Sequence, residues 1–429
     1  MEKVLIITYY WPPSGGAGVQ RWLKFVKYLR EFEFEPIVYT VENGEYPEID
    51  STLEMDIPAN LVVIRKKIWE PYHLYKWFIG NKKQKISASF MTEKKKPSLL
   101  EKISVFIRGN LFIPDARRFW IRPSVRFLSK YIQENKIDKI ISSGPPHSLH
   151  LIALKLKKKL NIKWVADFRD PWTNIDYYDQ LKTTRWADQQ HFKLQQKTLD
   201  NADAVVVVGK NMKDEFEVLG AKNVQVITNG FDRSDKPETV LSLDDFFSLA
   251  HFGTIMKNRN PEGLWRAISS IVSENDRFRD KLRIKLVGRV DHSVMTAIEN
   301  CGLNQYIEKI EYLPHNKVIE HELQSQVLLL LINNSNNAKG MLTGKFYEYL
   351  LAYRPILIVG PTDGDAANIL NELHAGITAD FDDIEGIKSA ILTFFEKYES
   401  GTLRNPHSDI QKYSRYELTR KLADVLSKI

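Results

Sequence analysis

Short apolar runs, each followed by a stretch of helical periodicity, recur along the chain in two successive series, and this alternation constrains the fold more than any other feature. The first series comprises VLIIT (4–8), PIVYT (36–40), LVVIR (61–65), KIISS (139–143), WVADF (164–168), AVVVV (204–208) and VQVIT (224–228). The second comprises LAHFG (249–253), RIKLVG (283–288), IEYL (310–313), VLLLLIN (327–333) and PILIVG (355–360). Strand and helix patterns that alternate in this way predict open parallel sheets covered by helices, one sheet per series.

A chain of 429 residues also exceeds the size at which one hydrophobic core usually keeps growing. Two α/β domains are therefore expected: residues 1–232, a linker over 233–246, and residues 247–408, with a C-terminal helical segment at 409–429. The Asn-Gly turn at 229–230 and the polar stretch after it mark the boundary. No short internal repeat is detectable, which excludes a solenoid.

Hydrophobic residues make up 43% of the chain, an ordinary globular share that excludes general disorder. The single cysteine, Cys301, excludes an intrachain disulfide framework and any CxxC metal site, and a reducing compartment fits best. Pro12 and Pro13 interrupt the N-terminal apolar run, which reads as a first strand and not as a signal peptide. The longest strongly apolar stretch, VLLLLI, is far below the roughly 20 residues needed to cross a bilayer. The expectation is a cytoplasmic protein, with peripheral contact to the inner face of a membrane left open.

Two strand-to-helix junctions carry the chemistry. In "TYYWPPSGGAGVQRW" (8–22), Gly15, Gly16 and Gly18 line a turn before a helical pattern. Three readings stay open: a tight turn alone, an incomplete dinucleotide fingerprint with Glu42 as the ribose acid, or a cradle that brings a polar ligand to a helix N-terminus, the preferred one. In "NNSNNAKGMLTGKFYEYL" (333–350), a buried-type strand ends in small polar residues, and a helix begins near Gly344 with Thr343 before it. Lys345 and Glu348 then lie one turn apart, where a surface ion pair competes with phosphate binding at the helix start and sugar-hydroxyl binding by the carboxylate. Upstream, "HFGTIMKNRNPEGLW" (251–265) places Gly253, Lys257 and Arg259 at another strand edge, where two cations suit a diphosphate.

Other candidates are weaker. His147 and His150 flank Ser148 and Leu149 without a third ligand nearby, so no metal is expected, and His147 is read as facing a cleft or capping a helix. Asp167, Arg169 and Asp170 follow the fifth strand as a candidate cleft group or a salt-bridge cluster. Residues 65–130 hold 17 Lys/Arg against 4 Asp/Glu, interleaved with aromatics. That mixture suits an anionic membrane surface; a solvated lysine-rich insertion is the plainer alternative, and no nucleic-acid-binding motif accompanies it.

In their order along the chain, "WPPSGGAGVQR" (11–21), "SSGPPHSLH" (142–150), "ADFRDPW" (166–172), "VQVITNGFD" (224–232), "HFGTI" (251–255) and "GKFYEYL" (344–350) make the sequence resemble the family-4 glycosyltransferases of the GT-B fold, particularly those that build bacterial surface polysaccharides. The resemblance implies two Rossmann-like domains facing each other across a cleft. It implies transfer of a sugar, with retention, from a nucleoside-diphosphate sugar to a glycan or lipid-linked acceptor, without a metal or other cofactor.

Residue by residue, it assigns Glu348 to the nucleotide ribose and Lys257 or Arg259 to the diphosphate. Gly253, Thr254, Leu342, Thr343, Gly344 and Lys345 join the donor side, and Leu313 lies where a backbone group reads the base. Gly15, Gly16, Arg21 and Arg169 fall on the acceptor side or the cleft, with Asp170 and His147 near the reacting sugar. The first acid of the family's E-x7-E motif is replaced by Gly340, and Arg169-Asp170 stands where many relatives have histidine. A catalytically silent sugar-nucleotide or glycan-binding subunit is therefore kept as an alternative, as is an NAD-dependent oxidoreductase.

Overall fold

Val4, Leu5, Ile6 and Ile7 are all buried, although their side chains point alternately to opposite faces of one strand. Leu5 and Ile7 enter one apolar core and Val4 and Ile6 another, the signature of a parallel sheet covered on both sides. The structure is a computed structural model and describes residues 1–46, 49–70, 99–176, 178–235, 241–311, 313–404 and 409–429. Two units divide it: Met1–Thr228 together with Arg415–Ile429, and Asn229–Ser414.

In the first unit the strands are β1 (Glu2–Ile7), β2 (Phe34–Val41), β3 (Val62–Lys66), β4 (Lys139–Gly144), β5 (Lys163–Phe168), β6 (Ala204–Val207) and β7 (Val224–Val226). Among the described residues they form a parallel sheet of order β3-β2-β1-β4-β5-β6-β7. Its helices are α1 (Ala17–Leu29), α2 (Leu99–Asn110), α3 (Ile121–Asn135), α4 (Ser148–Leu160), α5 (Arg185–Asn201) and α6 (Lys210–Val218).

The second unit holds β8 (Phe247–Phe252), β9 (Leu282–Val287), β10 (Ile307–Ile310), β11 (Val327–Leu331), β12 (Ile356–Val359) and β13 (Gly376–Ala379). Their order, β10-β9-β8-β11-β12-β13, is again parallel. The helices here are α7 (Glu262–Glu274), α8 (Asp276–Lys281), α9 (His292–Asn300), α10 (His315–Gln324), α11 (Gly344–Ala352), α12 (Asp365–Glu372) and α13 (Ile384–Glu399). The last helix, α14 (Arg415–Ser427), returns to the first unit. There Leu418, Leu422 and Leu426 share a core with Trp22 and Val26 of α1, and Tyr416 meets Tyr28 edge-on at 5.7 Å.

Both sheets thus have the doubly wound order, in which the chain reverses direction across the sheet beside its first strand. Ligands of such sheets bind at that switch point, beyond the carboxyl ends of the strands. In the first unit the point lies between β1 and β4, and in the second between β8 and β11.

One expected strand is shifted, and another strand was not expected. The strand expected at 310–313 is β10, which ends at Ile310: its register partner β9 stops at Val287, where Gly288 turns at φ 112°. The edge strand β13 carries glycine and threonine instead of an apolar run and was not anticipated. The first unit runs to Thr228, where the carbonyls of Ile227 and Thr228 both accept from the buried Arg21 at 2.9 Å.

That arginine is itself the largest local surprise. Arg21, expected at the cleft, is 0% exposed. Its Nη2 donates to Asp167 at 2.8 Å, and the same carboxylate accepts from Trp22 Nε1 at 2.9 Å and Ser143 Oγ at 2.8 Å. Arg21 is the fifth residue of α1 and points back toward the sheet, where Asp167 of β5 supplies the anion. Breaking one side of a buried pair leaves a charge without its partner, at a cost of about 3–5 kcal/mol. Asp167→Asn should therefore shift the urea unfolding midpoint of the first unit strongly downward, and an unchanged midpoint would show that the pair is dispensable.

Candidate functional site

At the second sheet's switch point, β8 ends in a loop through Gly253 and a 3-10 turn at Lys257–Arg259. Gly253 has φ 115°, and a Cβ there would overlap the Lys345 ammonium, so glycine is what lets Lys345 lie against the loop. Arg259 spans the switch: its Nε donates to Asn333 Oδ1 at 2.6 Å, just beyond β11, and its Nη1 donates to the Thr254 carbonyl at 3.2 Å. Lys257 extends from the same turn as an exposed side chain.

The loop after β11 delivers Thr343 in extended conformation as the N-cap of α11. Its Oγ1 is buried and has no hydrogen-bond partner, and it makes no side-chain cap. The first-turn N–H groups of a helix lack intrahelical acceptors, so Gly344 and Lys345 bring donors and the positive end of the helix dipole to this point.

His251, one turn of chain before the loop, registers the local charge. It is buried, holds the Leu329 carbonyl at 2.9 Å through Nδ1, and leaves Nε2 without a partner. Burial first, and then the cations of Lys345 and Arg259, press its pKa down to about 3 against a partial upward pull from the Leu329 bond. Arg259 and Lys345, one from the turn after β8 and the other from the first turn of α11, thus meet the same loop, Lys345 at Gly253 and Arg259 at the Thr254 carbonyl.

Glu348 follows Lys345 by one turn on α11 and is half-buried. Behind it lies a residue not anticipated: Glu322 of α10, 1% exposed. A sequence signal existed, since Val318, Ile319, Glu322 and Leu323 form an apolar helical stripe with a charge in it. Leu342 is a core residue and Leu313 is half-buried against the same core, so neither presents a side chain to the loops. Gly340 ends a 3-10 turn, and no carboxylate can come from that position.

In the first unit, Gly16 is the N-cap of α1 at φ 89°, with open space where a Cβ would stand. Gly15 precedes it, half-buried. A Cβ at Gly18 would overlap the Arg169 guanidinium, which also donates to the Pro145 carbonyl and lies 5.4 Å from the Tyr10 ring centre. Arg169 thus lies beside the glycine turn, whereas the Arg21 side chain is buried against Asp167. Asp170 reaches solvent beside it. Its carboxyl is nonetheless raised, by the surrounding protein first, with Asp176 and Asp167 adding and Arg169 opposing.

His147 corrects the expectation of an open catalytic position. It is 8% exposed and stacks on Trp172 with ring centres 4.4 Å apart. Burial, with smaller effects from His150, His191 and Arg169, lowers its pKa well below the usual histidine range. His150 is buried behind it, its Nδ1 sharing a 2.8 Å hydrogen bond with Ser142 Oγ. No cluster of ligating side chains that could hold a metal occurs among the described residues. The Lys-rich residues 71–98 lie outside the described residues.

Residues 82–235 match the family model described as Glycosyltransferase Family 4. Among solved structures, the chain is similar to sucrose-phosphate synthase from Thermosynechococcus elongatus (11% identity, TM-score 0.64, covering 100% of this chain and 99% of that one). It is also similar to Anabaena HepE in complex with UDP-glucose (12% identity, TM-score 0.64, 100% of both chains). A third likeness is to WaaG, a glycosyltransferase involved in lipopolysaccharide biosynthesis (11% identity, TM-score 0.56, 99% of both chains). No curated protein matches. The chain therefore has the GT-B fold, and the part of it at residues 82–235 matches the family-4 glycosyltransferase model.

Burial of the histidines makes an acid-stability prediction. Burial, with Arg169 adding and Asp167 opposing, lowers the His150 pKa to about 3. The unfolded chain takes up its proton near pH 6.5. Folding stability from this group is complete above that pH and is lost as pH falls toward 3, by about 1.4 kcal/mol per unit within the window. Urea midpoints measured from pH 7 to 5 should fall, and His150→Phe should flatten the slope; an equal slope in the variant would refute the assignment.

Proposed function

We propose that this GT-B glycosyltransferase moves a sugar from a uridine-diphosphate sugar to a glycan or lipid-linked acceptor in surface polysaccharide synthesis, with retention of anomeric configuration. The observation that supports it is the convergence of Arg259, Lys345 and the start of α11 at the switch point of the second sheet. HepE in complex with UDP-glucose and WaaG's role in lipopolysaccharide biosynthesis support the donor and pathway class.

The reaction breaks the bond between the anomeric carbon and the β-phosphate oxygen, the acceptor hydroxyl supplies the new oxygen, and its proton passes to the departing diphosphate. Negative charge grows on the departing diphosphate. Arg259, Lys345, Lys257 and the amides at Gly344 and Lys345 are placed to stabilise it, without a metal or a protein nucleophile. Glu348 accepts the two ribose hydroxyls, since a carboxylate offers only acceptors. Because Gly340 has no side chain to contact the donor sugar, sugar recognition falls to backbone groups of the loops around Thr254 and Thr343. Gly15, Gly16, Arg169 and Asp170 form the acceptor side.

An NAD site at the glycine turn gains no support: the Arg169 guanidinium occupies the approach to Gly18, and Glu42 faces Lys67 at the surface, 3.9 Å away. On the first unit, Trp69 packs edge-on to Phe119 at 4.7 Å, and Phe106 and Leu111 are exposed like both of them. Arg118 and Arg122 extend this aromatic and basic surface, which supports peripheral binding to an anionic membrane from the cytoplasmic side. Among the described residues no helix is long and apolar enough to cross a membrane.

Calorimetric titration with UDP, GDP, CMP and NAD tests the donor assignment. UDP should bind, and Glu348→Ala should abolish that binding; NAD binding indifferent to the substitution would overturn the reading. In a donor-consumption assay, Lys257→Ala combined with Arg259→Ala should lower turnover by about a hundredfold or more while leaving folding stability nearly unchanged. Nucleotide binding with no donor consumption for any acceptor would instead identify a silent binding subunit.

A further inference from the structure

Glu322 has no evident reason to be where it is. It occupies a core position on α10, a helix that packs on α11 and β8, with Ile319 buried beside it and Val318 and Leu323 against the same core. Its Oε1 is buried without a hydrogen-bond partner. Leucine would serve packing better, because an unsatisfied buried carboxyl carries a desolvation penalty that an apolar side chain avoids.

The groups that act on it come from α11: Glu348 and Lys345, with Tyr349 close enough to respond to both glutamates. From β8, the nearest titratable group is His251, which feels Lys345 and Arg259. The Tyr349 hydroxyl accepts the Phe252 amide at 3.0 Å, immediately before the Gly253 that Lys345 covers. Glu322, buried with an unpartnered carboxyl oxygen, thus lies on the helix packed against α11, which carries the two side chains assigned to the diphosphate and the ribose.

We propose that Glu322 is a positioning residue of the nucleotide-sugar site, acting through Lys345 and Glu348 to set the net charge and side-chain orientation that the nucleotide meets. This inference rests on the donor-site reading above. Burial raises the Glu322 carboxyl well above the usual range, the charge of Glu348 adds to the rise and Lys345 opposes it. In its protonated form Glu322 leaves the Lys345 cation directed at the diphosphate and the Glu348 carboxylate at the ribose. Once ionised, it draws Lys345 toward α10 and adds a negative charge beside a polyanionic ligand.

The consequence is a pH limb in nucleotide affinity. UDP titrations of the full chain at rising pH should show wild-type affinity falling by roughly fivefold or more as the added charge appears. Glu322→Gln should bind as wild type at pH 7 and lose that fall, and Glu322→Met, which suits the core, should also lack it. No fall in the wild type, or the same fall in both variants, overturns the role. Glu348→Ala measured in parallel separates the two ideas. Unchanged UDP binding there defeats the donor-site reading itself, whereas lost binding with wild-type pH profiles in the Glu322 variants defeats only the positioning role.

Discussion

The buried pair between Arg21 and Asp167 holds together parts of the first unit that the chain places far apart. Asp167 is the last residue but one of β5, Arg21 lies in the helix after the glycine turn, and the same guanidinium takes the carbonyls of Ile227 and Thr228 at the unit's exit. Two charges removed from water are tolerated only when their remaining donors and acceptors are filled, and here Trp22 and Ser143 complete the carboxylate. The position of α1 follows from that bond, and with it the Gly16 turn and the contact of Gly18 with Arg169.

The second unit arranges charge in the opposite sense. Its switch point gathers cations and a helix start at the surface of the loops and keeps a carboxyl behind them. His251 remains neutral among those cations because it is buried, and its bond to the Leu329 carbonyl recovers one of its two nitrogens. The result is a positive edge whose strength depends on exclusion of water, since fixed charges act most strongly where the surroundings polarise least.

Local features were legible in the sequence, and long-range partners were not. The start of α11 at Gly344, with Lys345 and Glu348 one turn apart, could be read because strand, small-residue loop and helix follow one another directly. The need for glycine at 253 was visible only as a loop residue; its positive φ and the ammonium of Lys345 come from a segment about ninety residues later. Arg21 was misread because its partner is 146 residues away, and a charged residue early in an amphipathic helix ordinarily faces solvent. His147 looked open at a strand edge because nothing in its neighbourhood announces the stacking Trp172. Glu322 was overlooked although its stripe was apolar, because an acid in a short, mostly polar ten-residue helix reads as a surface residue.

The return of α14 to the first unit also orders events in time. Trp22 and Val26 of α1 share their core with Leu418, Leu422 and Leu426, so that apolar face stays uncovered while the intervening chain is synthesised. The second unit, Asn229–Ser414, contains both of its own sheet-covering layers and can close as soon as its last residues emerge. Synthesis from the N-terminus therefore completes the later unit first. During that interval, the apolar face of α1 that α14 covers stays open.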